Sequence, residues 1–201
     1  MSKVLLATHN AKKLVELRRI LIPVVPGIEV LGLDDVTPYD EPVETEPSFA
    51  GNALLKARAA VMMTGLPALA DDSGLCVDAL NGMPGVLSAR WAGPGKDDQA
   101  NNELVLAQLS DVPDERRGAA FVAAVAFVRP DGSEDVVHGE MPGSVIREQR
   151  GEHGFGYDPL FVPEGYDVTS AELSPEEKDR LSHRGQALRA IAPLVAEVLG
   201  G

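Results

Sequence analysis

The sequence predicts an α/β protein built on a mixed sheet. Its first half alternates strand-like and helix-like segments, the pattern of parallel strands joined by helices. The first such segment, residues 3–8, is an apolar run without polar alternation, as expected of a strand buried on both faces. Residues 119–141 read as a β-hairpin around the turn Pro-Asp-Gly-Ser. Because the hairpin adds antiparallel pairing, the long central sheet should be mixed and flanked by helices.

The N-terminal strand should lead directly into a helix. Asn10 is a good N-cap, leucines recur at helical spacing from Leu14 to Leu21, and Pro23 ends the element. Residues 26–47 are rich in proline and acids and should form a strand and a loop.

Helical periodicity returns over residues 48–63, although Gly51 weakens the first turn of that helix. Residues 66–80 predict a second strand that runs into an acidic turn, and residues 97–109 predict another helix. A glycine-rich loop covers residues 150–159.

The C-terminal segment carries clear helix signals. Ser174, Pro175 and Glu177 form the pattern of a capping box with proline at the first helical position. This helix should break near Ser182 and restart, and Pro193 predicts a kink or a late break in the second helix.

Length and composition limit the classes of protein this chain could be. Its 201 residues suit one domain, residues 1–201, with a sizeable core. The 18 basic and 31 acidic residues give a net charge of -13, which disfavours nucleic-acid binding through broad phosphate neutralisation. No apolar run or signal-peptide pattern indicates a membrane partner, and the lone cysteine, Cys76, fits a reducing compartment. We therefore expect a soluble cytoplasmic protein.

The join between the first strand and the first helix, Ala-Thr-His-Asn-Ala-Lys-Lys, contains no glycine. A helix N-terminus presents free N–H groups and a positive dipole end, so it is a ready site for an anion. Thr8 and Asn10 would add donors, and Lys13 would reach back toward a phosphate. The alternative is that Asn10 only caps the helix and that the lysines are solvated.

The sequence Ala-Asp-Asp-Ser-Gly places two carboxylates, Asp71 and Asp72, directly after an apolar strand. Adjacent carboxylates repel one another unless they share a cation or a proton, and hard oxygen ligands suit Mg²⁺. The loop Val-Glu-Thr-Glu, residues 43–46, offers further carboxylates. The alternative is a polar turn in which Asp71 caps the next element.

Two later motifs combine polar and aromatic groups. Gly-Phe-Gly-Tyr-Asp-Pro, residues 154–159, brings two rings and an acid onto a flexible backbone that could stack on a base. Ser-His-Arg-Gly-Gln, residues 182–186, opens a helix with groups that could read a carbonyl edge or bind phosphate. The alternatives are a satellite core and an ordinary capped helix start.

Taken in order, these motifs resemble those of one family, the inosine triphosphate pyrophosphatases (ITPase/XTPases). The chain carries T-x-N-x-x-K, A-D-D-S-G-L, G-F-G-Y-D-P and S-H-R-G-Q-A-L in the family's order, and the resemblance covers nearly the whole chain. It implies hydrolysis of deaminated purine nucleoside triphosphates (ITP, dITP and XTP) to the monophosphate and pyrophosphate, with Mg²⁺, cleansing the nucleotide pool. It also implies two lobes with a nucleotide cleft between them, and a homodimer.

The resemblance assigns roles by position. It implies that Asp72 is the main catalytic carboxylate and that Glu44 and Asp72 hold the metal. The implied substrate-binding residues are Thr8, His9, Asn10, Ala11, Lys12, Lys13, Ser73, Phe155, Gly156, Tyr157, Asp158, Lys178, His183 and Arg184. Those up to Lys13 would bind the triphosphate, Ser73 would touch the substrate, and the others would hold the ribose-phosphate and base.

One position departs from the family pattern, because Gly51 stands where the family usually has a glutamate. Glu46 lies where the family commonly has a small residue, so it is a candidate substitute ligand. Three rival functions remain: a Maf-type nucleotide pyrophosphatase, a phosphatase with an aspartyl-phosphate intermediate, and a nucleotide-sensing binding module. The acid pair favours catalysis over the last of these. The chain does not carry the N-terminal S-x-R-R pattern of the Maf-type enzymes.

Overall fold

The predicted mixed sheet is confirmed. The computed structural model describes residues 2–199, and within them seven strands form one sheet in the order β2-β1-β3-β5-β6-β7, with β4 beside β3. The strands are β1 (Lys3–Leu6), β2 (Glu29–Leu31), β3 (Ala68–Val77), β4 (Met83–Pro84), β5 (Gly118–Val128), β6 (Glu134–Val145) and β7 (Phe161–Pro163). The helices are α1 (Ala11–Leu21), α2 (Phe49–Thr64), α3 (Asp98–Gln108), α4 (Pro175–Leu181) and α5 (His183–Leu199).

Strand directions follow the connections. Strand β1 pairs in parallel with β2 and with β3, and a helix lies between the paired strands in each crossover. Strands β6 and β7 pair antiparallel, as do β3 and β4. The short strands β4 and β7 had no clear sequence signal, because each has at most three residues and ends in proline.

The apolar run at the N-terminus is buried on both faces, as predicted. Val4 and Leu6 belong to a core that includes α5 residues such as Ile191, whereas Leu5 packs in a second core with Ala57 of α2. Successive side chains of a strand point to opposite faces, so a two-sided core requires an uninterrupted apolar sequence.

The chain divides into two compact units. The first contains residues up to Asp72, residues 123–139 and the chain from Arg184 onward, and it holds the two cores described above. The second contains residues 73–122 and 140–183. Its core joins Leu75, Val105 and Phe161 from β3, α3 and β7, and the rings of Phe121 and Phe161 lie 4.6 Å apart.

The predicted helix boundaries agree with the structure. Asn10, Ser48 and Asp97 cap α1, α2 and α3, and the capping box of Ser174 and Glu177 begins α4. The break at residue 182 is present, but α5 continues past its internal proline, so a late break there was wrong. Among the described residues, no helix has the length and apolar character that crossing a bilayer requires.

Candidate active site

The acid pair lies inside a strand rather than in a turn after it, which corrects the sequence prediction. Asp71 and Asp72 are both buried in the middle of β3. Leu69 belongs to the core that includes α5, and Ala70 belongs to the core on the α2 side. By strand alternation, the two carboxylates point toward opposite faces of the sheet. This geometry separates the two charges and gives each its own partners.

Asp71 faces basic groups from α1 and α5. Its Oδ2 accepts from Lys13 Nζ at 2.9 Å and from Arg184 Nε at 3.2 Å. Arg184 also donates through Nη1 to Glu16 of α1. Both partners of Asp71 are at most 15% exposed at the side chain, so these ion pairs are largely shielded from water.

The charges in this network shift the pKa of each member. Burial opposes ionisation of Asp71, but Lys13 and Arg184 outweigh it and hold the pKa of the Asp71 carboxyl well below its usual range. Burial lowers the pKa of Lys13, although Asp71 opposes that shift. Asp71 Oδ1 is buried and has no hydrogen-bond partner among the described residues. The carboxylate therefore keeps one acceptor that a ligand, a water or a cation would satisfy.

Asp72 faces α2 instead. Its Oδ2 accepts from Asn52 Nδ2 at 3.0 Å, and its Oδ1 lies 3.9 Å from Lys56 Nζ. Lys56 also donates to Glu44 Oε1 at 2.6 Å. Burial, with a further contribution from Glu44, raises the pKa of Asp72 above its ordinary value. Asp72 therefore has the higher proton affinity of the two acids.

These residues fit the donor set of a magnesium ion. Glu44 lies in a loop and Asp72 lies in β3. Glu44 Oε1 and Asp72 Oδ1 lie 2.6 Å and 3.9 Å from the same ammonium, that of Lys56, so the two carboxylates already face one cation. In residues 2–199, no group of three or more acidic, histidine or cysteine side chains is arranged as a metal cage. Mg²⁺ typically needs only one or two carboxylates and keeps several waters. Two converging carboxylates meet that requirement.

Glu46 and Gly51 are packed against each other. A Cβ built on Gly51 would lie 2.7 Å from Glu46 Cβ and 3.2 Å from Glu46 Oε2. The Glu46 side chain therefore occupies the space that a side chain at position 51 would need. Asn52 Oδ1 also accepts from the Glu46 backbone N–H at 3.0 Å. Since Asn52 donates to Asp72, the residue 46 backbone is linked to the catalytic candidate through one side chain.

At the strand-to-helix join, the structure shows a capped helix with Lys13 turned to the acid pair. Asn10 Oδ1 accepts from the N–H groups of Lys12 and Lys13, and Thr8 Oγ1 accepts from the Asn10 N–H. His9 is exposed and lies 3.2 Å from Glu41. Ala11 is the first residue of α1.

The second group of predicted residues is built around the loop of residues 154–158, which we call the Phe155 loop. Asp158 Oδ2 accepts from the Phe155 N–H at 2.8 Å and from Lys178 Nζ at 2.6 Å. The Lys178 ammonium also lies 5.1 Å from the centre of the half-buried Phe155 ring. Such a distance allows a cation–π contact, so one lysine of α4 holds both the loop's acid and its ring.

Three further predicted residues, Tyr157, His183 and Ser73, belong to the second unit. The Tyr157 ring is buried and its hydroxyl donates to the Ser88 carbonyl at 2.8 Å, so Tyr157 anchors the loop through its side chain. The His183 ring stacks on Phe121 at 5.0 Å. Ser73 follows Asp72 in β3 and is partly buried.

Sequence reasoning missed several polar residues that the fold adds to these groups. Asn52 and Lys56, spaced one helical turn apart on α2, have a usable signal, since buried polar residues on an otherwise apolar face need partners. Glu16 and Asp98 are ordinary helix acids in the sequence, and only the fold identifies Arg184 and the Phe155 loop as their partners.

The chain is similar to known proteins along nearly its whole length. The model of the Ham1 family matches residues 4–194. A dITP/XTP pyrophosphatase of Nocardia farcinica is 64% identical over 197 residues, covering 98% of this chain and 96% of the relative. A second dITP/XTP pyrophosphatase, from Cutibacterium acnes, is 56% identical and covers 100% of both chains.

Solved structures agree in fold. The crystal structure of a nucleoside-triphosphatase or dITP/XTP pyrophosphatase from Mycobacterium abscessus matches with a TM-score of 0.79 at 60% identity, covering 95% of this chain and 99% of that one. A HAM1 protein from Coxiella burnetii matches with a TM-score of 0.89 at 39% identity, covering 98% of this chain and all of that one.

Proposed function

The chain belongs to the Ham1 family, and from this premise we propose that it hydrolyses the triphosphates of deaminated purines, ITP, dITP and XTP, to the monophosphate and pyrophosphate. The resemblance to the inosine triphosphate pyrophosphatases is confirmed, since relatives named dITP/XTP pyrophosphatase match along almost the whole chain. The observation that best supports the chemistry is the buried acid pair, whose two carboxylates have separate partners.

We assign the general base to Asp72. Hydrolysis of a phosphoanhydride needs a positioned water and a group that accepts its proton. Burial and Glu44 raise the pKa of Asp72, which favours proton acceptance by this carboxylate, and Asn52 Nδ2 holds one of its oxygens in place. Asp71, with its pKa held low, stays ionised and holds Lys13 and Arg184 in place.

Positive charge beside the acids would favour the departure of pyrophosphate. Lys13 and Lys56 are largely buried ammonium groups, and fixed charges in a site shielded from water stabilise developing negative charge strongly. Mg²⁺ held by Glu44 and Asp72 would add Lewis-acid stabilisation of the phosphate oxygens. The N-terminus of α1, with Thr8 to Lys13, would bind the triphosphate.

The Phe155 loop would bind the sugar and base. Its ring offers an apolar face for stacking, and Lys178 places a cation beside it. A deaminated purine has a carbonyl at position 6 where adenine has an amine. Groups such as His183 and Arg184 would donate hydrogen bonds to that oxygen and would face another donor if adenine entered. Arg184 already donates to Asp71 and Glu16, so we propose that it also stabilises the acid pair.

The test is a nucleotide panel with Mg²⁺ present. The purified chain should release pyrophosphate from ITP, dITP and XTP with kcat/KM at least about a hundredfold above ATP, since a site built to hydrogen-bond the carbonyl at position 6 strongly rejects an amine there. GTP, which keeps that carbonyl and adds an amine at position 2, is measured beside ATP. Release of inorganic phosphate instead of pyrophosphate, or equal rates with ATP, would contradict the proposal. Tight binding without turnover would indicate the nucleotide-sensing alternative, and a preference outside the deaminated purines would indicate the Maf-type alternative.

We also propose that the whole chain works as one ITPase-like domain, as a homodimer in the cytoplasm. Cys76 is a free thiol, which is compatible with a reducing compartment. Light scattering coupled to size-exclusion chromatography should give twice the chain mass of 21.3 kDa.

A further inference from the structure

Helix α3 holds both backbone polar groups of one residue in the Phe155 loop, Gly156. Asp98 Oδ2 accepts from the Gly156 N–H at 2.7 Å, and Asn102 Nδ2 donates to the Gly156 carbonyl at 2.9 Å. The two side chains are four residues apart, so they lie on the same face of α3, one turn from each other. A single helix turn therefore clamps a residue more than fifty positions later in the chain.

The loop needs such an external clamp. Gly154 and Gly156 adopt positive φ angles of 78° and 63°, which other residues rarely take. Glycine backbones are also the most mobile in the absence of fixed partners. On the N-terminal side, Asp158 holds the Phe155 N–H. Asp98 and Asn102 hold the following residue, so the segment that carries the Phe155 ring is fixed at both ends.

Asn102 is poorly suited to a purely structural position. It is 2% exposed, and its Oδ1 has no hydrogen-bond partner among residues 2–199. An unsatisfied buried oxygen is unfavourable, and an apolar side chain would avoid that cost. Turning the amide would not help, because Oδ1 would then face the Gly156 carbonyl oxygen. The donor to Gly156 is what an asparagine supplies here and an apolar residue cannot.

We propose that Asp98 and Asn102 are positioning residues that hold the Phe155 loop in the conformation that binds substrate. The proposal rests on the proposed function only in that this loop contacts the sugar or base. Neither side chain needs to touch the substrate. When the clamp is lost, the loop samples more conformations and binding must order it again, so substrate affinity falls while the chemistry at Asp72 is unchanged.

The helix supplies a matched control at the neighbouring position. Asn101 is also 2% exposed, but its amide accepts from the Ala92 N–H and donates to the Ala89 carbonyl, away from the Phe155 loop. Replacing either asparagine by alanine removes a buried amide from the same helix. A general loss of stability is therefore common to both variants, whereas a loosened loop is specific to Asn102→Ala.

The kinetic experiment compares these variants with ITP at a temperature where all are folded. Asn102→Ala and Asp98→Ala should each raise KM about fivefold, the size expected for one hydrogen bond, with kcat changed less than about twofold. Asp98→Asn keeps an acceptor oxygen and should restore a KM near that of the wild type. Asn101→Ala should lower the Tm without raising KM. Equal KM for Asn101→Ala and Asn102→Ala, or a fall in kcat with constant KM, would overturn the proposal.

A second measurement separates this inference from the proposed function. Amide hydrogen exchange of residues 154–158 needs no activity, and Asn102→Ala and Asp98→Ala should accelerate it about fivefold or more relative to Asn101→Ala. If exchange accelerates but the protein hydrolyses no deaminated purine triphosphate, the positioning role of Asp98 and Asn102 is supported and the proposed function is contradicted. If exchange is unchanged in an enzyme that hydrolyses these triphosphates, the positioning role is contradicted and the proposed function is supported.

Discussion

The acid pair and the Phe155 loop are held by different contacts. At the acid pair, side chains hold side chains: Asp71 pairs with the largely buried Lys13, and Asp72 pairs with the buried Asn52. In the Phe155 loop, side chains also hold the backbone, as Asp98 does at Gly156. The first arrangement fixes charges and pKa values, and the second fixes the path of the chain.

This difference predicts how each region fails. Removing a charge from the acid pair changes the electrostatics at the reacting atoms, so the loss should appear in kcat. Removing a support from the loop increases the cost of ordering it, so the loss should appear in KM.

Replacing Asp72 by asparagine should lower kcat for ITP by a factor on the order of 10³, because the proton acceptor is lost while the side-chain shape is kept. Asn52 can still donate to the amide oxygen, so the fold should remain intact. The measurement is steady-state pyrophosphate release with Mg²⁺, together with circular dichroism of the variant. Near-wild-type turnover would remove Asp72 from the role of base.

Asp71→Asn is the companion variant. It should also be harmful, but through a different route, because Lys13 and Arg184 would lose their buried counter-charge. Breaking such a buried pair typically costs about 3–5 kcal/mol of stability. A variant with normal stability and abolished activity would instead make Asp71 a direct participant in the chemistry.

Replacing Lys13 by alanine should reduce kcat/KM for ITP on the order of a hundredfold, through weaker triphosphate binding and slower departure of pyrophosphate. Binding of the monophosphate product should change less. Lys12→Ala should reduce kcat/KM less, since Lys12 is exposed in the same turn of α1 whereas Lys13 is largely buried beside Asp71. If Lys13→Ala keeps both kinetic constants, the phosphate-binding interpretation of the strand-to-helix join is wrong.

The acid pair also shows which parts of the site the sequence could predict. The strand and the capped helix follow from local patterns. The sequence prediction placed Asp71 and Asp72 in a turn because consecutive charges rarely occupy a buried strand. Only the partners supplied by α1, α2 and α5 make that placement stable, and these partners come from positions far along the chain.

The same limit applies to the loop. Its glycines and aromatic residues indicated a binding loop from the sequence, but nothing in the sequence linked residues 98 and 102 to residue 156. The acids and asparagines of α3 look like solvated helix residues until the fold brings them to the Gly156 peptide. Tyr157 illustrates the reverse case, since a residue predicted to bind substrate has its ring in the core.

Replacing Lys178 by methionine should raise KM for ITP about tenfold with a smaller change in kcat, because the loop loses the cation that holds Asp158 and faces Phe155. The buried Asp158 carboxylate would lose its partner, so the free energy of unfolding should also fall by about 3 kcal/mol. Denaturant unfolding and steady-state kinetics measure the two effects. A fall in kcat with unchanged KM would mean that Lys178 acts at the reacting groups. It would contradict the expectation that losses in the Phe155 loop appear in KM.

Glu44 and Glu46 lie in one loop but differ in their surroundings. Glu44→Gln should raise the Mg²⁺ concentration for half-maximal activity about tenfold, because loss of a ligand charge weakens the site. Glu44 is the acid that shares Lys56 with Asp72, whereas the Glu46 side chain lies over Gly51 and is more exposed. Glu46→Gln should therefore change the Mg²⁺ requirement less than about twofold.

Both variants keep side-chain volume, so a difference between them reports the carboxylate charge rather than packing. Glu44→Gln also retains an oxygen that can accept from Lys56, which limits structural disturbance near Asp72. A comparable rise for Glu46→Gln would mean that Glu46, filling the space over Gly51, supplies a second carboxylate to the metal. No rise for either variant would mean that the second ligand comes from another segment, and Asp71, whose Oδ1 lacks a partner among the described residues, would be the next carboxylate to test.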